Sequence, residues 1–214
     1  MREFSLKENL EAEVVKVQET LEALPWNDPV FYANWVAQTH YYCSHTTRLL
    51  ALGAVRSALS QQALHNRFLQ HAGEEKGHEK LCDLDLKSLG YKKEDFSELP
   101  GTAALYQTQY YWLEHQNPLS FFGYILGLEH LASKLGKITS EASTAHGSKS
   151  THFLRVHAEE DIDHVEKAIQ QVEQFPQEVQ PLIVENMRQS LGHYARMAEE
   201  CFKVSQQMRS KKTA

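Results

Sequence analysis

The chain has 214 residues, with 22 lysine and arginine residues against 28 aspartate and glutamate residues, and a formal net charge of −6. This length is enough for one domain with a sizeable core. The acidic balance argues against nucleic acid as the main partner, because no basic stripe is present to neutralise phosphates. No apolar run approaches the roughly 18 residues that a membrane span needs, and no signal peptide is visible. We therefore expect a soluble, cytoplasmic protein.

Helical periodicity runs through almost the whole sequence, with no alternating strand pattern, linker or long repeat. Prolines, glycines and capping residues divide it into segments. The predicted helices, in chain order, are 6–24, then 28–59 opened by Asp28 and Pro29, 61–89 followed by Gly90, 102–115, 117–145 opened by Asn117 and Pro118, 151–175, and 177–209. The sequence therefore predicts an all-α single domain over residues 1–214, a bundle of about seven helices.

A histidine–aspartate–histidine stripe lies on the sixth predicted helix. His157, Asp161 and His164 are four and three residues apart, so at about 100° per residue they fall within about 60° of helical arc. Imidazole and carboxylate groups are the usual ligands of borderline transition metals. The stripe therefore predicts three ligands that converge on a metal ion.

The same spacing occurs in the third predicted helix, at His71, Glu75 and His78. We expect Glu75 and His78 to be ligands on neighbouring turns. His71 could be a ligand, could orient a ligand from behind or could do neither, and the orienting role is the preferred interpretation. Glu129 is a lone carboxylate in an apolar segment of the fifth predicted helix, where an unpaired charge would be very costly to bury. Its helix also carries glycines that would let another backbone or a substrate come close.

Three carboxylates and three histidines form the candidate site. A mixed set of oxygen and nitrogen donors on bundle helices suits two iron or manganese ions with open positions for dioxygen. Each residue alone has an ordinary alternative, since a core histidine is more often hydrogen-bonded than bound to metal. The predicted metal ligands are Glu75, His78, Glu129, His157, Asp161 and His164.

The second predicted helix offers other chemistry. His40 could face a cofactor such as haem. The preferred interpretation is that His40 belongs to the polar side of a core helix, at the rim of a pocket. Four tyrosines could line a substrate pocket or act as redox-active phenols, but aromatic core packing is the default. They are Tyr41, Tyr42, Tyr106 and Tyr110.

At these residues the chain resembles the heme-oxygenase-like diiron oxidase and oxygenase superfamily, which is allied to the TENA/THI-4 and PqqC-like proteins. The similar segments lie in the family's order: 74–81 followed by Asp85 and Gly90, then 127–129, then the stripe from His157 to His164. The resemblance implies a heme-oxygenase-like bundle in which the six residues above hold two iron ions, with manganese possible at one position, and it implies a homodimer.

The resemblance implies that the protein is a non-haem diiron, or iron–manganese, oxidase or oxygenase that activates dioxygen and acts on a small molecule. Members of the superfamily differ widely in reaction, so the substrate does not follow. One alternative is a thiaminase II-like hydrolase of the same fold that works without metal and needs a cysteine nucleophile, for which Cys43 is the candidate. Another is a non-catalytic bundle that binds a metal or a ligand.

Overall fold

The computed structural model describes residues 5–212, except that the side chains of residues 159–164, 167, 211 and 212 are outside the description. The described residues form helices and no strands, which confirms the all-α prediction. None of their helices is both long and apolar enough to cross a membrane. The α-helices are α1 (Leu6–Glu22), α2 (Pro29–Arg56), α3 (Gln62–Glu74), α4 (Glu79–Leu89), α5 (Pro100–His115), α6 (Phe122–Ser133), α7 (Gly136–His146), α8 (His152–Val172) and α9 (Gln180–Lys212).

The central helix is α2, which packs against α3, α4, α5 and α9. It begins as predicted: the Asp28 side chain accepts a hydrogen bond from the Val30 amide at 3.0 Å, and Pro29 occupies the first turn. A polar side chain of α2 also makes hydrogen bonds inside the protein. The Gln38 carbonyl oxygen accepts hydrogen bonds from the Leu99 amide and the Thr102 hydroxyl, at 2.9 and 2.7 Å. The Gln38 side chain on α2 thereby fixes the start of α5.

Two predicted helices are each broken in the structure. The segment 61–89 is α3 and α4, with a turn over residues 75–78 in which Gly77 has φ +95°, a backbone conformation that glycine adopts freely. Glu75 and His78 therefore lie at the two ends of a turn, and the prediction that they sit on neighbouring turns of one helix was wrong. The segment 117–145 is a 3₁₀ turn (Pro118–Phe121) followed by α6 and α7.

The backbones of α6 and α9 approach each other closely at Gly123. A Cβ atom at that position would lie 2.1 Å from the Ile183 carbonyl oxygen and 2.6 Å from the Met187 nitrogen. Only glycine permits this distance, so the expectation that a second backbone comes close to this helix is confirmed. The contact fixes the position of α6, and with it Glu129 about two turns further on.

Candidate metal centre

Five potential metal ligands cluster between α3, α4, α6 and α8. They form two groups within the described residues, and in each group one ligand atom per residue lies within 4.8 Å of the others. Glu75 belongs to both groups. The first group is His71, Glu75 and Glu129, and the second is Glu75, His78 and His157.

The first group joins α3 to α6. His71 Nε2 lies 3.1 Å from Glu129 Oε1 and 3.6 Å from Glu75 Oε1. Glu75 is placed by helix geometry, because it follows His71 by four residues and its amide donates to the His71 carbonyl at 2.9 Å, closing the last turn of α3. Both carboxylates are largely buried, with side-chain exposures of 10% for Glu75 and 8% for Glu129.

The second group joins the turn after α3 to α8. His78 Nδ1 lies 3.3 Å from Glu75 Oε2, and the rings of His78 and His157 meet edge to face with centroids 4.9 Å apart. His157 Nδ1 donates a hydrogen bond to the Phe153 carbonyl at 2.9 Å, and the two rings stack at 4.0 Å. Because Nδ1 carries the proton in that bond, the neutral ring has its lone pair on Nε2, as a metal ligand requires.

A carboxylate of α4 holds the start of α8. Asp85 is fully buried, and its oxygens accept hydrogen bonds from the amides of His152 and Phe153 at 2.8 and 3.0 Å. Thr151, which precedes α8, makes no side-chain cap. Asp85 therefore satisfies two of the amides that a helix leaves open at its N-terminus, one turn before His157.

The charges in the cluster are coupled. Burial alone would lower the pKa of His71, but the carboxylates of Glu129 and Glu75 outweigh it and raise the pKa to about 9. Burial alone would raise the pKa of Glu75, yet His71 and His78 hold it well below its ordinary value. A cation between two buried carboxylates at such short range stabilises their charged forms. Protonated His71 meets that need when no metal is bound.

The cluster contains four of the six residues predicted from the sequence, namely Glu75, His78, Glu129 and His157. The side chains of Asp161 and His164 lie outside the described residues, so their roles stay predictions. His71 was expected to orient a ligand from behind, whereas its ring nitrogen lies among the candidate ligand atoms themselves.

A cavity opens beside the cluster, and four of the five clustered residues, all but His78, are among the residues that line it. It holds about 750 Å³ of empty space, part of it open to solvent. The rest of its described wall is mainly apolar. Representative wall residues are Trp35, Leu50, Phe121, Ile125, Leu128 and Phe153.

Of the tyrosines considered from the sequence, Tyr42 lines this cavity, whereas the Tyr41 hydroxyl donates to the Phe96 carbonyl at 3.0 Å. Tyr106 and Tyr110 both contact the His45 ring instead. Two other tyrosines, Tyr124 and Tyr194, line the cavity and were not singled out from the sequence. Both follow the apolar periodicity of their helices, which does not reveal which buried side chains face a cavity.

His40 does not line the cavity. Its Nε2 lies 3.2 Å from Asp83 on α4, and its Nδ1 is 3.3 Å from the Ser44 hydroxyl. These contacts favour the interpretation of His40 as part of the polar side of a core helix. Cys43, by contrast, lies in the cavity wall. Cys82 and Cys201 are fully buried, and burial raises the pKa of both thiols.

The donors in the cluster fit iron or manganese. They are imidazole nitrogens and carboxylate oxygens, with no thiolate in either group, and such mixed sets suit non-haem iron and manganese better than metals that prefer sulfur. The two groups share the Glu75 carboxylate, which could therefore contact a cation in each group. The cluster thus has the composition expected of a two-metal carboxylate site.

Comparison with known proteins agrees with this composition. The family model described as "Iron-containing redox enzyme" matches residues 33–195, which include all five clustered residues. No curated protein gives a significant match.

Solved structures with low sequence identity share the fold. A domain of unknown function with a heme oxygenase-like fold from Shewanella denitrificans is 22% identical, with a TM-score of 0.87, covering 97% of this chain and 96% of that one. A TenA homologue from Pseudomonas syringae is 10% identical (TM-score 0.74, 93% of each chain), and a CADD-like protein of unknown function from Nostoc punctiforme is 17% identical (TM-score 0.62, 92% of this chain and 90% of that one). The predicted heme-oxygenase-like fold is confirmed.

Proposed function

This chain belongs to the family of iron-containing redox enzymes, and we propose that it is a non-haem diiron, or iron–manganese, oxidase or oxygenase that acts with dioxygen on a small molecule. The observation that carries the proposal is the Glu75 carboxylate, which lies within reach of two separate groups of ligand atoms beside a cavity. The Glu75 Oε1 atom lies toward His71 and its Oε2 atom toward His78, so this one carboxylate could contact two neighbouring metal ions at once.

The proposed ligands are the six residues inferred from the sequence together with His71. Glu75, His78 and His157 would hold one ion, and His71, Glu75 and Glu129 would hold the other. Asp161 and His164 follow His157 at helical spacing and are proposed to complete the set. Iron bound here would supply one-electron redox chemistry, which protein side chains supply poorly.

The protein's own residues have three tasks in this proposal. Glu75 and Glu129 supply the negative charge that two cations need. The Phe153 carbonyl fixes the His157 ring with its Nε2 available for bonding. The apolar cavity wall offers few partners to water near the reacting groups, and a reduced water content strengthens electrostatic interactions within the site.

The test is anaerobic loading with ferrous iron, metal analysis after desalting, and oxygen uptake with optical spectroscopy when air is admitted. We expect about two ions per chain and rapid oxygen uptake. Glu129→Gln should lose one ion and most of the uptake. Glu166→Gln, which alters an exposed carboxylate on the same helix as His157, should retain both. Wild-type protein that holds no iron after desalting would refute the proposal.

Cys43 supports a second candidate, a thiaminase II-like hydrolase, because its thiol lines the same cavity as Glu75 and Glu129. This activity requires the cysteine and no metal. Hydrolysis of thiamin that is abolished in Cys43→Ser and unaffected by a chelator would favour it over the oxidase. Iron that binds at two ions per chain without oxygen uptake would instead favour a non-catalytic metal-binding bundle.

A further inference from the structure

Two tyrosines and a histidine form a cluster between α2 and α5, apart from the metal ligands. His45 Nδ1 lies 2.9 Å from the Tyr110 hydroxyl, and the Tyr106 ring stacks on the His45 ring with centroids 3.8 Å apart and an interplanar angle of 8°. His45 and Tyr110 are half-buried, and Tyr106 is buried. These three residues are outside both ligand groups and outside the cavity lining, so the function proposed above gives them no task.

The hydrogen bond in this cluster runs from the Tyr110 phenol to the His45 imidazole. A phenol has a pKa of about 10, and the N–H of a neutral imidazole is a much weaker acid, so the phenol donates and Nδ1 accepts. Burial, followed by the charge of Arg48, lowers the pKa of His45, and Glu98 opposes them only in part. The His45 ring is therefore neutral near neutral pH, with a lone pair directed at the phenolic proton.

This geometry makes the Tyr110 phenol easier to oxidise. Removal of one electron turns a phenol into a very strong acid, so the proton leaves with the electron, and a base at hydrogen-bond distance accepts it. The imidazolium formed at His45 lies flat against the Tyr106 ring, whose face attracts cations. The surroundings therefore stabilise the oxidised pair, which is a neutral phenoxyl radical at Tyr110 and a protonated ring at His45.

The cluster lies next to the cavity. Tyr42 precedes His45 by three residues, so the two side chains are neighbours on the surface of α2. Thr46 follows His45 directly, and both Tyr42 and Thr46 line the cavity. Burial raises the pKa of Tyr124, a wall residue on α6, and the nearby Tyr110 adds to that rise. Since Tyr110 is itself partly exposed, the pair connects the cavity wall to the protein surface.

On the basis of the proposed function, we propose that Tyr110 and His45 are a redox-active pair that carries oxidising equivalents from the metal centre to the surface when dioxygen reacts with no substrate bound. Tyr110 loses one electron to the oxidised iron, which is reduced by one electron, and the phenolic proton passes to His45 Nδ1. A one-electron donor in solution, such as ascorbate, returns an electron to the Tyr110 radical, and the proton returns from His45. The cavity wall is thereby protected from oxidation.

The first test locates the radical. Iron-loaded protein is exposed to dioxygen without substrate, and the radical is detected by freeze-quench electron paramagnetic resonance and located with the spin trap 2-methyl-2-nitrosopropane and mass spectrometry. We expect a phenoxyl signal and a trap adduct at Tyr110, both lost in Tyr110→Phe. Tyr111→Phe is the matched control, because Tyr111 is 55% exposed and its hydroxyl accepts from the Gln116 amide instead. Oxygen uptake without a radical at Tyr110 would overturn the proposal.

The second test removes the base. His45→Phe keeps a ring that stacks on Tyr106 but accepts no proton, and His45→Gln keeps a hydrogen-bond acceptor that is not a base. A positioned base typically contributes about 10²–10⁴-fold, so both variants should lower the radical yield at Tyr110 by about tenfold or more. An unchanged yield in either variant would show that His45 does not take the proton.

The cavity wall gives a third readout. Cys43 lies in that wall, so repeated cycles of iron loading and air exposure should oxidise its thiol to a greater extent in Tyr110→Phe than in the wild type or in Tyr111→Phe. Mass spectrometry of the peptide that contains Cys43 measures the oxidised fraction. Equal oxidation in the three proteins would contradict the protective role.

Metal-free protein separates this inference from the proposed function. Photo-oxidised ruthenium tris-bipyridine should generate trapped radicals at Tyr110 in preference to the more exposed Tyr111, and the preference should disappear in His45→Phe. Preferential oxidation of Tyr110 in a protein that binds no iron would refute the proposed function and leave the oxidisable pair in place. Iron binding and oxygen uptake with no preference for Tyr110 in the metal-free protein would refute the redox pair alone.

Discussion

Asp85 and Phe153 connect α4, which follows the turn that carries Glu75 and His78, to α8, which carries His157. The Asp85 Oδ2 atom accepts a hydrogen bond from the Phe153 amide at 3.0 Å, and the Phe153 carbonyl in turn accepts one from His157 Nδ1 at 2.9 Å. The position of His157 therefore depends on a buried carboxylate that takes no part in either ligand group.

Replacement of Asp85 by alanine should cost stability and metal affinity together. Two amides would be left buried without an acceptor, which should lower the free energy of unfolding by about 2–4 kcal/mol. Asp85→Asn keeps a side-chain oxygen and should recover part of both losses. Asp83→Ala, on the exposed side of α4, should cost less than about 1 kcal/mol. Urea unfolding and zinc titration measure the two quantities. Normal zinc affinity in folded Asp85→Ala would show that His157 does not need this cap.

The shared position of Glu75 predicts unequal effects of two carboxylate substitutions. Glu75→Gln removes a charge from both ligand groups, so both metal ions should bind at least tenfold more weakly. Glu129→Gln touches only the first group and should weaken one ion while sparing the other. Calorimetric titration with zinc resolves the two steps. Loss of a single ion in Glu75→Gln would show that this carboxylate serves one position alone.

The close approach of α6 and α9 predicts a large effect of one added methyl group. In Gly123→Ala the new Cβ would lie 2.1 Å from the Ile183 carbonyl oxygen, so the helices must separate, at a cost of about 1–3 kcal/mol. Gly192→Ala is the matched control, because nothing lies within 4 Å of its Cβ position in α9. It should stabilise the protein by about 0.5–1 kcal/mol. Thermal unfolding of both variants checks the contrast, and equal melting temperatures would refute it.

The cysteines should differ in reactivity. Cys82 and Cys201 are fully buried, and burial raises the pKa of both thiols, so they should not react with a thiol reagent in native protein at pH 8. Cys43 lies in the cavity wall and should react slowly with a small reagent. Mass spectrometry after brief alkylation should find the label at Cys43 alone. Labelling at Cys82 in folded protein would contradict the burial of that side chain.

Local signals predicted much of the fold. Asp28 with Pro29 opens α2 and Gly90 closes α4, as expected, because capping depends on the residues at the helix end itself. The break after α3 was missed. Gly77 adopts a left-handed conformation there. Because glycine is also tolerated inside helices, the sequence pattern did not predict a helix end at this position.

Within the candidate site, proximity between residues of one helix can be predicted from their spacing, whereas the particular contacts between helices cannot. His71 and Glu75 are four residues apart, so their proximity follows from the helix. The contact of His71 with Glu129 depends on how α6 docks beside α3, which no local pattern encodes. The same holds for Asp85, whose partners His152 and Phe153 lie almost 70 residues away along the chain.

The most direct test of the central claim is a crystal structure of iron-loaded protein with anomalous data collected at the iron edge. We expect two iron peaks per chain, both in contact with the Glu75 carboxylate, one next to His78 and His157 and the other next to His71 and Glu129. A single peak, or two peaks of which only one contacts Glu75, would contradict it.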